Sequence, residues 1–66
     1  MNVSKLKTKM AEKGVNVETL AERIGIDRST LYRKLNAEVR TTVGEAVKIK
    51  NELGMTDEEA RSIFFG

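Results

Sequence analysis

The sequence predicts an all-α fold of five short helices, on three kinds of observation. Apolar residues recur at the i, i+3, i+4, i+7 spacing of a helix face. Glycines stand just past the ends of those stripes, at Gly14, Gly25 and Gly54, where a helix commonly stops. Two Thr-x-x-Glu patterns, Thr42-x-x-Glu45 and Thr56-x-x-Glu59, mark helix starts as capping boxes. A chain of 66 residues is read as one domain, 1–66. Such a domain buries only about 60% of its unfolded surface, so modest stability is expected unless it oligomerises.

The first helix is expected from about Val3 to Lys13. Asn2 is its N-cap, Val3, Leu6, Met10 and Ala11 form its inner stripe, and Gly14 stops it. Val15 follows, placed to touch Met10 across the helix end. Lys5, Lys9 and Lys13 make a second row, open to two readings: solubility, or non-specific phosphate contact at a helix end, with Lys9 as the candidate.

From Val17 to Asn36 the chain reads as two helices joined by a turn of about three or four residues. Val17, Leu20, Ala21 and Ile24 make the buried face of the first, and Gly25 ends it in a left-handed conformation. Asp27 is a good N-cap for the second, held down by Leu31 and Leu35. At about 100° per residue, Arg28, Ser29, Tyr32, Arg33 and Asn36 share an arc of roughly 140° with the leucines just outside it. That outer face carries two arginines, a tyrosine, a serine and an asparagine, with no acid after Asp27. Such side chains suit base edges and phosphates, whereas an ordinary solvated face carries mixed-sign i, i+4 pairs.

The helix after the N-A-E-V-R-T loop is expected from Val43 to about Leu53, with Val43, Ala46, Val47, Ile49 and Leu53 as its apolar set. The last helix opens at Thr56. Asp57, Glu58 and Glu59 in its first turn complement the helix dipole and are not read as a metal site. Ala60, Ile63 and Phe64 point inward, leaving Phe65 and Gly66 at the end. The expected core is Leu6, Met10, Leu20, Ile24, Leu31, Leu35, Val47, Leu53, Ile63 and Phe64.

Composition removes several function classes. With no Cys and no His, disulfides, zinc fingers and the usual nucleophile–base constellations are excluded. No carboxylate spacing suggests an acid–base pair, so neither an enzyme nor a cofactor is expected. The lysine-rich start is followed by no apolar run of signal-peptide length, and no stretch is long enough to cross a membrane, so a cytoplasmic location is the default. Net charge is +2, but residues 1–40 hold nine Lys/Arg against five Asp/Glu, and residues 41–66 three against five. The basic half contains the two-helix stretch, as phosphate binding would favour.

The run V-N-V-E-T-L-A-E-R-I-G-I-D-R-S-T-L-Y-R-K-L-N resembles the helix-turn-helix of the lambda-repressor-like family, which includes phage repressors, Cro-type proteins and small bacterial regulators. The marks are Leu20-Ala21, Gly25 in the turn, apolar Ile26, and Ser29-Thr30-Leu31. The resemblance implies a compact five-helix domain whose third helix lies in the DNA major groove, with Arg28, Ser29, Tyr32 and Arg33 reading bases. It also implies a loop running beside the DNA backbone, with Lys34, Asn36, Arg40 and Thr41 as phosphate partners. Many members have Gln or Ser at the first position of the first motif helix, where it touches phosphate; this chain has Val17. That contact is then absent or falls to a neighbour such as Asn16.

The function implied is a sequence-specific double-stranded DNA-binding regulator of the bacterial cytoplasm or nucleoid, a Cro-like phage-type repressor on a pseudo-palindromic operator. The alternative is an antitoxin-type or adaptor module that binds a protein through its acidic helices or the Phe64-Phe65 end. The ending I-F-F-G resembles the termini of small phage-type regulators and favours a stand-alone protein over a piece of a longer repressor. A single recognition helix reads only about four or five base pairs, so a weak homodimer, formed mainly on DNA, is expected. Phe65 is its candidate contact, unless that ring folds back over Leu6 or Met10.

Overall fold

Four of the five helices begin on a side chain that accepts an otherwise orphaned backbone amide. In the computed structural model, which describes residues 1–65 and leaves the terminal Gly66 outside the described residues, the helices are α1 (Val3–Glu12), α2 (Val17–Ile24), α3 (Arg28–Leu35), α4 (Val43–Glu52) and α5 (Asp57–Phe64). Among the described residues there is no strand. Asn2 and Asn16 accept from the Lys5 and Thr19 amides at 3.0 and 2.8 Å, and both Thr-x-x-Glu patterns form complete capping boxes. Asp27 is the exception. It has the extended backbone of an N-cap, but its side chain makes no cap hydrogen bond, so α3 is positioned by the turn before it and the core beneath it.

The exits of α1, α2, α3 and α4 follow one geometry, in which two successive amides bond back to carbonyls of the last turn. After α2, Gly25 at φ 77° donates to the Glu22 carbonyl and Ile26 to that of Ala21. The same pair follows α3, where Ala37 donates to Lys34 O at 3.1 Å and Glu38 to Arg33 O at 2.9 Å. Here the left-handed position is held by Ala37 at φ 59°, the only non-glycine with positive φ among the described residues. An L-residue there carries strain of about 1–2 kcal/mol.

The core is continuous through Leu6, Met10, Leu20, Ala21, Ile24, Leu31, Leu35, Ile49, Leu53, Met55, Ala60 and Ile63, with Phe64 partly buried against it. α2 packs on α3 and α4, and α5 packs on α1 and α4. Two expectations are corrected. Val47 is half exposed and Val43 more so, because α4 turns Ile49 inward and Val47, two residues earlier, lies about 160° round the helix from it. Ala11 is exposed for the same reason, about 140° from the buried Leu6.

Lys9 is also corrected. Its ammonium bonds Glu59 at 2.7 Å and lies 3.7 Å from Glu12, and its side chain is only 14% exposed. It ties α1 to α5 instead of facing a phosphate. Its hydrogen bond to Glu59 raises the lysine's pKa. The same bond, helped by the Thr56 amide, pulls the Glu59 carboxyl from 4.5 down to about 2. Asp57, paired with Lys50 at 2.9 Å, is lowered too.

Two outcomes follow from these contacts. The folded Glu59 carboxyl titrates lower than the unfolded one, so its contribution is complete above pH 4.5 and is lost as pH falls towards 2. The thermal midpoint should therefore drop through that window, and Lys9→Met should flatten the drop; superimposable curves for the two proteins would show that the pair does not matter. The left-handed exits give a reciprocal pair. A Cβ at Gly25 meets nothing within 4 Å, so Gly25→Val should cost about 2 kcal/mol or more from backbone strain alone, while Ala37→Gly should stabilise by about 0.5–1 kcal/mol. Denaturant melts read both.

Candidate nucleic-acid interface

α2 and α3 are joined by only Gly25, Ile26 and Asp27. Leu20, Ala21 and Ile24 on one helix and Leu31 and Leu35 on the other are all at most 5% exposed. Ala21 is 1% exposed; its small side chain lets the α2–α3 pair pack closely, and Ile26 closes the open side of the turn, partly buried against the same cluster. Eight residues of isolated helix are unstable in water, so α3 takes its form from this apolar seat.

The seat fixes which side of α3 faces out. Arg28, Ser29, Tyr32, Arg33 and Asn36 are all exposed, with Tyr32 at 52%. Arg28 stands 3.7 Å from Glu18 of α2, both side chains about two-thirds or more exposed, a loose pair of little energetic weight that a stronger anion can displace. The outer face thus presents two guanidinium forks, a phenol, a hydroxyl and an amide, within reach of whatever lies against the helix.

The other expected contacts divide. Asn16 caps α2 through its side-chain oxygen, which leaves its NH2 group as a donor, and it is exposed. Asn36 and Arg40 are exposed as well. Thr41 is half-buried, its hydroxyl 3.8 Å from the Met1 sulfur. Lys34 is the correction. It is 5% exposed, and its ammonium donates to the Arg40 carbonyl at 2.8 Å and pairs with Glu45 at 2.9 Å. No face is left for a phosphate. Burial pushes the Glu45 carboxyl upward, but hydrogen bonds from the Thr42 amide and Lys34 outweigh it and hold the carboxyl below its ordinary value. The signal for this was in the sequence: Lys34 lies about 60° round from Leu31, on the side away from the outer face.

Phe65 is 68% exposed and does not fold back over Leu6 or Met10. With Met1, Val43 and Phe64 it lines a groove between the chain ends and the start of α4. Val47 sits one turn beyond Val43 on the same outer side of α4, also exposed.

A family model for the Cro/C1-type helix-turn-helix DNA-binding domain matches residues 5–59, which take in most of α1, all of α2, α3 and α4, and the first turn of α5. No curated protein and no solved structure matches the chain. The match spans more than half of the sequence, and the chain belongs to the Cro/C1-type helix-turn-helix family of DNA-binding regulators.

Proposed function

We propose that the chain is a repressor of the small, Cro-like phage type, acting as one domain, 1–66, that binds a pseudo-palindromic operator in the bacterial cytoplasm or nucleoid. The observation that carries this reading is the outer face of α3, where Arg28, Ser29, Tyr32 and Arg33 stand exposed on a helix clamped from behind by Leu31 and Leu35. A guanidinium can bridge O6 and N7 of guanine, and the shorter side chains can meet neighbouring base edges. Asn16, Asn36, Arg40 and Thr41 flank that face and take the phosphates on either side, fixing register without reading sequence. No cofactor enters this mechanism.

One α3 reads about four or five base pairs, too few to select an operator, so two copies act together with their reading helices one duplex turn apart, roughly 34 Å. The partner surface is a second copy of the groove where Phe65, Val43 and Met1 are exposed. A two-fold pairing brings the same apolar patch from both chains together, and the small area available makes it weak away from DNA.

Binding to a site selected from a random duplex pool tests the reading. Arg28→Ala and Arg33→Ala should each cost about 1–3 kcal/mol and relax preference at one base pair. Arg40→Ala should weaken every duplex alike and reduce the salt slope by about one unit. Equal losses on selected and random duplexes for both α3 arginines would mean that this helix does not read bases. Phe65→Ser should leave half-site binding intact and remove the added affinity of the full site; an unchanged full-site isotherm would remove Phe65 from the dimer contact.

A further inference from the structure

The ammonium of Lys34, buried at 5% exposure and not used by the interface directly, sits where three parts of the interface meet. Lys34 belongs to the last turn of α3, its first acceptor is the carbonyl of loop residue Arg40, and its second is Glu45 in the first turn of α4. The same Glu45 oxygen accepts from the Thr42 amide at 2.9 Å, and the Thr42 hydroxyl accepts from the Glu45 amide at 3.1 Å. A single side chain therefore holds the end of the reading helix, the residue before Thr41 and the cap of α4 in one arrangement. The opposite end of the loop is constrained as well, by Ala37 in its left-handed conformation with the Ala37 and Glu38 amides bonded back to α3.

We propose that Lys34, with Glu45, is a positioning pair that sets the α3–α4 loop against the DNA backbone, so that a residue touching no nucleic acid governs the phosphate contact made by Arg40. The inference rests on the DNA-binding reading above. Its physical basis is that a charge 5% exposed is tolerated only with good partners, and the partners of Lys34 fix a loop backbone that has few other restraints. Arg40 then presents its guanidinium from a carbonyl already anchored, instead of from a free strand of chain. The ordering cost of the loop is met on folding and not on binding.

The test uses Lys34→Met, Arg40→Ala and their combination, together with Lys34→Met/Glu45→Gln. The last removes both charges, keeps a Thr-x-x-Gln cap and leaves no unpaired buried ion, which keeps the fold intact if the single variant is too unstable to measure. Affinity for a random duplex is measured across a salt series, below the melting range of every variant. Exchange of the Ala37, Glu38 and Thr42 amides is followed in the free proteins.

Loss of Lys34 should lower affinity about 3–10-fold and reduce the salt slope by about one unit. In the Arg40→Ala background it should change neither, because the contact it positions is already gone. Fully additive losses would make Lys34 a phosphate contact in its own right and overturn the proposal. So would a folded Lys34→Met protein with wild-type affinity and slope. Faster exchange at Ala37 and Glu38 in the variants supports the loop restraint, and unchanged exchange removes it. Failure of the wild-type protein to bind any duplex would refute the DNA reading separately, while the exchange result would still decide whether Lys34 holds the loop.

Discussion

Everything at the interface depends on the fixed angle between α2 and α3, and that angle comes from one short constraint. Three residues join the helices, the first of them a glycine at φ 77°. Leu20, Ala21 and Ile24 then meet Leu31 and Leu35 across an interface with almost no exposed surface. Because a helix of this length has no stability of its own, loosening the turn would not merely tilt α3 but would dissolve the row of donors it carries. Pre-organisation of that row is what the proposed reading needs, since a few side chains would then act together on a groove of fixed width.

The lysines and arginines sort by what they do. Lys9, Lys34 and Lys50 are engaged with Glu59, Glu45 and Asp57, and they join α1 to α5, α3 to α4 and α4 to α5. Arg33 and Arg40 are exposed, and Arg28 is held only loosely. A net charge of +2 thus understates the field around α3, since much of the neutralisation occurs on elements remote from it. The division follows side-chain chemistry: an ammonium on a flexible stem suits a compact internal pair, and the planar guanidinium suits bidentate recognition.

Much of this was legible in the sequence because its determinants are local. The capping boxes at Thr42 and Thr56, the stop at Gly25 and the arc shared by Arg28, Ser29, Tyr32 and Arg33 each need only a few neighbouring residues, and each has its expected geometry. Three features were not legible in local sequence. Ala37 takes a position that composition assigns to glycine, so the helix exit there carried no signal. The apolar residues of α4 cover too much of its circumference for all to be buried, and only packing on α2 and α5 decides that Ile49 goes in and Val47 stays out. Lys9 and Lys34 read as surface cations because their acidic partners come from other helices; spacing places Lys34 on the inner side of α3 but cannot name its partner.

The outer face of α3 and the segments on either side of it are proposed to form one surface that meets duplex DNA. Backbone amide chemical shifts, followed while a selected duplex is titrated into the labelled protein, address it most directly. The largest changes should fall on residues 28–33, at Asn16 and along residues 36–41, with α1 and the first turn of α5 little affected. Changes concentrated on α1 and α5, with α3 unmoved, would contradict it.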